Sequence, residues 1–347
     1  MPRIRLQGIS KHFGPVHAVQ DLSIDVAAGT HHLLVGPSGS GKSTTLRLIA
    51  GLEFPDAGRI LLDDTDVTRL SAEERPCGWV AQSPGLLPHL TLVEQLELPL
   101  RLQGINRHER RARAEVMADR LDLRPRLHHL PAALSGGEAA RTAIGRALIL
   151  QPRPVLLDEP CAHLDPTLRR DLRRLLRDLQ REFDLTLLHV THHPADLIAG
   201  ADHLTVIEGG RVLQSGRPLD LYRQPRTPWL ADLTGDSPIW RCTSADGSRN
   251  LVHLPPEATP SPTPSILGLR PEQLALTPER PTGPCIGPVR IGRITPVGPR
   301  TWVEVHWGEA QRLEIPLPPH ADHGSEGDHV WIQWNPRDAL WFRSHDS

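Results

Sequence analysis

Residues 31–44 read HHLLVGPSGSGKST, an apolar run followed at once by a glycine-rich loop ending in Lys42, Ser43 and Thr44. Gly36, Pro37, Ser38, Gly39, Ser40, Gly41, Lys42 and Ser43 fill the pattern GxxxxGK[ST] in the required order of strand, loop and helix. Glycines let such a loop wrap phosphate oxygens with backbone N–H groups, and the helix opening near Lys42 turns its positive end toward them. Lys42 is expected to neutralise β- and γ-phosphates, with the Ser43 hydroxyl directed to Mg²⁺. Of the 39 basic residues only Lys11 and Lys42 are lysines. A lysine kept here points to a need for a compact ammonium where a planar guanidinium would not fit.

Outward from this stretch, short apolar runs alternate with helix-like segments up to about residue 232, as in PVLLD (154–158) and LTLLHV (185–190). The alternation predicts an α/β unit with a mostly parallel sheet. A long helix is expected from Asp165 as cap and Pro166 in the first turn, with Leu168, Leu172, Leu175, Leu176, Leu179 and Phe183 at helical spacing. The strand Val155–Leu157 runs into Asp158 and Glu159, an acid suited to holding Mg²⁺ followed by a base suited to polarising water, a role worth about 10²–10⁴-fold in rate. Leu134-Ser-Gly-Gly-Glu138 again sets glycines ahead of a helix, AARTAIGRALIL, and so suggests a second anion site.

GPSGSGKST, LSGGE and LLDEP, in this order and at these distances, resemble the nucleotide-binding domain of ABC ATPases, a P-loop NTPase fold, over roughly residues 3–232. The resemblance implies Mg-ATP hydrolysis in a head-to-tail homodimer, in which Ser135, Gly136 and Gly137 of one subunit, with Glu138 beside them, face the ATP held by Lys42 of the other. It implies that Gln82 senses Mg²⁺ and the transport partner, that Asp165 belongs to the loop between subunits, and that His192 contacts the γ-phosphate. Phe13 falls where the family stacks an aromatic on adenine; a core phenylalanine is the alternative. The chain departs from the family pattern at Glu138 (commonly glutamine), at Ala139 and Ala140 (often polar) and at His193 (usually aspartate).

The stretch from Gln82 through SPGLLPHLTLVEQL resembles importers of sugars, polyamines, ferric ion and oxyanions, with Leu86, Leu87 and Leu90 expected to line a socket for a membrane subunit. Beyond 237 the composition turns proline-rich, and TWVEVHW and DHVWIQW alternate as strands do. ILGLRPEQLAL and the closing GDHVWIQWNPRDALWF resemble the small all-β, OB-like TOBE domain of the same importers. The expected organisation is an ATP-binding domain over 1–236, its helical subdomain at about 86–150, and a TOBE-like domain over 237–347. The resemblance implies separate permease subunits, indirectly a solute-binding protein, and a peripheral position on the cytoplasmic face of the inner membrane.

Composition narrows the rest. With a net charge of -2 the chain as a whole has no attraction for nucleic acid or anionic lipid, although the arginine-rich segments 107–126 and 169–181 keep a nucleic-acid-acting ABC ATPase as the rival reading. Another rival is a regulatory ATP binder that does not hydrolyse; Lys42, Asp158, Glu159 and His192 together oppose it. The N-terminus, MPRIRLQGISKHFG, is read as lacking a signal peptide's apolar core, and no run approaches the roughly 18 apolar residues of a membrane span. Cys77, Cys161, Cys242 and Cys285 form no CxxC pair. The pairs His31-His32, His128-His129 and His192-His193 are not expected to chelate, because neighbours on a strand face opposite ways.

Overall fold

The computed structural model describes residues 3–151, 154–160, 164–191, 200–235, 237–243, 252–253, 266–307, 311–318, 321 and 323–342. They form two compact units, 1–218 and 219–347.

In the first unit a six-stranded sheet has the order β10-β9-β3-β8-β7-β6. Strands β3 (His31–Val35), β6 (Gly78–Val80), β7 (Val155–Asp158), β8 (Leu187–Val190) and β9 (His203–Glu208) are parallel, and β10 (Arg211–Gly216) is an antiparallel edge. Every residue of β7 and β8 is buried. That is why these strands read as near-continuous apolar runs, with only Asp158 and His189 polar, as strands covered on both faces do. A parallel sheet brings the carboxyl ends of its strands to one edge, so Gly36 after β3 and Glu159 after β7 emerge together.

A second, antiparallel sheet of β1 (Ile4–Phe13), β2 (Val16–Val26), β4 (Ala57–Leu62) and β5 (Thr65–Asp66) was not expected from the sequence. The pairing of β1 with β2 slips between Leu6 and Ile9, around Gly8 at φ 59°. The bulge carries the buried face from even to odd positions, so the period-two signature is lost.

Helix α1 (Lys42–Ala50) follows β3, while α2 (Leu92–Leu102), α3 (Arg107–Arg120) and α4 (Gly136–Leu148) lie within the segment expected to be helical. Leu92, Leu96, Leu100, Met117, Leu121, Ile144 and Leu148 share one core with Leu172, Leu176 and Leu179 of α5 (Pro166–Glu182). Asp165 caps α5, its Oδ1 accepting from the Thr167 and Leu168 amides at 2.9 and 3.1 Å. The three α5 leucines contribute roughly 1.5–3 kcal/mol each through burial. His31 stacks on His189 while His32 bonds Thr205 at 2.8 Å, so the pair does point apart. Among the described residues no helix is long and apolar enough to cross a membrane.

The second unit begins at Leu219, ahead of the expected 237. Its helices α6 (Pro218–Arg223) and α7 (Pro228–Thr234) are tied to the β structure by Arg270, only 1% exposed. The guanidinium donates to Ala231 O and Tyr222 O, both at 2.8 Å, and to Thr234 Oγ1 at 3.1 Å, and it lies 3.9 Å from the Tyr222 ring centre. The strands form two sheets. In one, β13 (Ile266–Leu269) sits between β11 (Trp240–Thr243) and β19 (Leu340–Phe342); the other is built on β15 (Cys285–Val297), β16 (Arg300–Trp307) and β18 (His329–Gln333). Trp307 and Trp334 fill the core, and Trp240 and Trp341 pack against it. Trp302 and Trp331 are only partly buried.

Candidate nucleotide site

The loop from Gly36 to Gly41 is shaped by what lies behind it. A Cβ on Gly36 would come within 2.1 Å of Ile207 O, and one on Gly41 within 2.2 Å of Ala18 O. Gly39 takes φ 78° with open space around it. The Gly210 amide donates to Ser40 O at 3.2 Å. These backbone props escaped the sequence reading; the Gly209-Gly210 doublet is the signal that could have marked one of them.

Lys42 is 7% exposed, and its Nζ donates to Gly36 O at 2.9 Å and Pro37 O at 2.7 Å. Burial lowers its pKa, against the pull of Glu159 and Asp158. Helix α1 starts at Gly41 with no side-chain cap and no acid in its first turn. The next four helices are all capped, by Thr91 with Glu94, by Asn106, by Ser135 with Glu138, and by Asp165. Ser40 Oγ is buried with no hydrogen-bond partner among the described residues. An ammonium held only by carbonyls, an uncapped helix start and an orphaned hydroxyl all fit a phosphate chain.

Asp158 and Glu159 meet this loop from the end of β7. Ser43 Oγ donates to Asp158 Oδ1 at 3.0 Å, and Gln82 Nε2 lies 3.4 Å from Glu159 Oε2. Hydroxyl, carboxylate and amide oxygens are the hard donors that Mg²⁺ takes. Glu159 adopts φ 49° while its N–H donates to Val190 O at 3.0 Å, a strained backbone of the kind that functional sites retain.

Burial raises the pKa of Asp158; the Ser43 hydrogen bond opposes this and the Glu159 charge adds to it. A carboxyl raised in the folded state stabilises the fold below its unfolded pKa and loses that contribution as pH rises through the folded one. At neutral pH the ionised group therefore costs stability. Asp158→Asn is expected to raise the melting temperature of nucleotide-free protein by about 2 °C at pH 7.5 while abolishing turnover. Calorimetry beside a phosphate-release assay checks this, and an unchanged or lower melting temperature would remove the burial argument.

At the start of α4, Ser135 Oγ accepts the Glu138 amide at 3.2 Å and the Ser135 amide donates to Glu138 Oε2 at 2.7 Å. Arg126 Nε donates to Glu138 Oε1 at 2.9 Å. The glutamate that replaces the family's glutamine thus closes a capping box and is paired with a cation, so its negative charge is offset. The same cap already places a carboxylate at this helix's positive end, where the sequence suggested a free anion site. Phe13 is 45% exposed with the Lys11 ammonium 5.2 Å from its ring centre, which rules out the core alternative. His192, His193 and Cys161 lie outside the described residues.

Residues 19–162 match the family model described as ABC transporter, and residues 267–342 match the TOBE domain. The chain is 40% identical over 284 residues to the Fe(3+) ions import ATP-binding protein FbpC of Brucella abortus (strain 2308), covering 80% of each. It is 36% identical over 317 residues to the protein of that name from Escherichia coli (strain K12), covering 90% of each. The chain belongs to the importer-type ABC ATPases that carry a TOBE domain.

This importer ATPase is also similar to solved cassettes. One is an ATP-binding cassette of an ABC transporter in its ADP conformation, with TM-score 0.61 and 27% identity over 67% of this chain and 98% of that one. Another is a dimeric post-hydrolysis cassette bound to ADP and Pi, with TM-score 0.57 and 30% identity over 62% of this chain and 98% of the other. The fold is thus that of a P-loop ATPase cassette followed by a TOBE domain, and the activity is ATP hydrolysis by an ABC-type transport ATPase.

Proposed function

We propose that this importer ATPase hydrolyses Mg-ATP in a head-to-tail homodimer and drives uptake of ferric ion through separate permease subunits at the cytoplasmic face of the membrane. The observation that carries the chemistry is the convergence of Ser43, Asp158, Gln82 and Glu159 beside the Lys42 ammonium. Mg²⁺ would be held by Ser43, Asp158 and Gln82 and would neutralise charge on the β- and γ-phosphate oxygens. Lys42 binds those oxygens, and Glu159 orients a water and takes its proton as the water attacks the γ-phosphorus and the bond to the β–γ bridging oxygen breaks. Glu159 is the base, with His192 and the partner's Ser135 completing the γ-phosphate site; Phe13 stacks on adenine and Asp165 lies at the subunit junction.

The dimer is supported by the glycines of α4. A Cβ on Gly136 would meet Leu164 Cδ2 at 3.5 Å, and one on Gly137 would meet Leu168 at 3.4 Å, ordinary contacts for a methyl group. Among the described residues nothing in the packing asks for glycine there, unlike at Gly36 and Gly41, so the demand is assigned to a nucleotide arriving from outside. Gly137→Ala is expected to keep or raise the melting temperature, since alanine favours a helix by about 1 kcal/mol, and to lower turnover at least ~10-fold. Normal turnover in this variant would exclude a close approach of nucleotide to α4.

Ferric ion is proposed from the names of the relatives aligned over 80–90% of this chain. Ion pairing weakens the nucleic-acid rival: Arg110 and Arg111 engage Glu97, Arg113 engages Glu109, and Arg120 engages Glu182. Copurification from gently solubilised native membranes tests the assignment. Recovery of a multi-span permease and ferric-dependent stimulation of turnover is expected, whereas recovery of ribosomes or nucleic acid without a permease would overturn it.

A further inference from the structure

Helix α2, through Leu96, and Leu121 at the end of α3 approach α4 so closely at Gly145 that a Cβ there would fall 2.9 Å from Leu96 Cδ2 and 2.4 Å from Leu121 Cδ1. The next residue of α4, Arg146, reaches out of this contact to the loop that follows Gln82. Its Nη2 donates to Pro84 O and its Nη1 to Gly85 O, both at 2.9 Å, and Nη1 lies 3.4 Å from Gln95 Oε1. Gln95, fully buried on α2, donates through Nε2 to Leu87 O at 2.6 Å and Leu90 O at 3.3 Å, while the Leu87 amide donates to its Oε1 at 3.3 Å. Two side chains therefore hold the main chain of residues 84–90 at both ends. Burial lowers the pKa of Arg146, whose hydrogen-bond partners among the described residues are carbonyl oxygens alone.

We propose that Arg146 is a positioning residue for hydrolysis: with Gln95 it suspends residues 84–90 from the α2–α4 contact and so sets the approach of Gln82 to Glu159. The opposite end of α4 is the Ser135 cap. A 13-residue helix is a rod of about 20 Å, so a shift at Ser135 when a nucleotide docks is delivered to Gln82 through Arg146. Only a planar fork can hold two successive carbonyls and a side-chain oxygen at once; an ammonium on a flexible stem cannot fix their relative positions. Gln95 is irreplaceable for a related reason, because it accepts and donates on the same loop. The inference rests on the proposed roles of Gln82 and Glu159.

The test uses purified full-length protein as Arg146→Lys and, independently, Gln95→Glu, which keeps an acceptor and loses the donors to Leu87 and Leu90. Steady-state Mg-ATP turnover, melting temperature and amide exchange are measured for each. Both variants are expected to lower kcat about ten-fold with KM for ATP within about two-fold, and to speed exchange at residues 84–90 with α4 protection and melting temperature kept. Unchanged kcat despite faster exchange at 84–90 overturns the proposal. So does a general loss of protection in which kcat, KM and melting temperature move together, because that is a purely structural effect. Glu159→Gln is run alongside. If it turns over normally, the reading of the catalytic site has failed, whereas exchange at 84–90 still reports separately whether Arg146 holds the loop.

Discussion

Glu159→Gln is expected to bind ATP as tightly as the wild type, to form an ATP-dependent dimer and to release phosphate at least ~10²-fold more slowly. Glutamine keeps the volume and can still receive the Gln82 amide, which lies 3.4 Å from Oε2 in the wild type, but it cannot take a proton from water. The strained backbone at φ 49° belongs to a non-glycine residue either way, so the substitution leaves the β7 turn undisturbed. Removing one carboxylate charge also removes a neighbour that pulls the Lys42 pKa upward. Phosphate oxygens around Lys42 supply an opposite charge in place of the one removed, so binding is expected to be retained. Equilibrium binding of a fluorescent ATP analogue, sedimentation with and without Mg-ATP, and phosphate release measured together check this. Near-normal turnover would remove Glu159 from the role of base.

Lys42→Ala is expected to lose ATP affinity by about 10²-fold or more, and turnover with it. The wild-type ammonium is held by Gly36 O and Pro37 O inside the loop, so alanine removes the cation and leaves both carbonyls without that donor. Stability should respond in the other direction: a buried cation without a carboxylate in contact costs desolvation, and its removal is expected to leave the melting temperature equal or slightly higher. Isothermal titration with ADP and ATP beside calorimetry separates the two effects. Wild-type affinity in Lys42→Ala would move the phosphate site elsewhere.

Much of this was legible because the chemistry is local. The strand before Gly36, the loop glycines, Lys42 and Ser43 occupy one continuous segment, and Asp158 with Glu159 closes another apolar strand. A parallel sheet must bring such strand ends to one edge. The cap at Asp165 and the leucines of α5 were readable from spacing for the same reason. What the sequence hid was either non-local or irregular. The bulge at Gly8 broke the alternation of β1 and concealed the antiparallel sheet. Arg270 draws Tyr222, Ala231 and Thr234 into the second unit across more than thirty residues of chain. Glu138 read as a charge beside phosphate, whereas its carboxylate turns back onto Ser135 and Arg126. Gln95 carried no sequence signal of its own, and only its burial against the 87–90 backbone shows what it holds.

The most direct test of the account is phosphate release by the purified wild-type protein from ATP, with Mg²⁺ and with EDTA, against Lys42→Ala prepared in parallel. Turnover that requires Mg²⁺, rises faster than linearly with protein concentration as dimers form, and vanishes in Lys42→Ala is the expected result. Turnover that persists in EDTA or in Lys42→Ala, or that is absent from the wild type when ATP is bound, would contradict a Mg-dependent ATPase built on this loop.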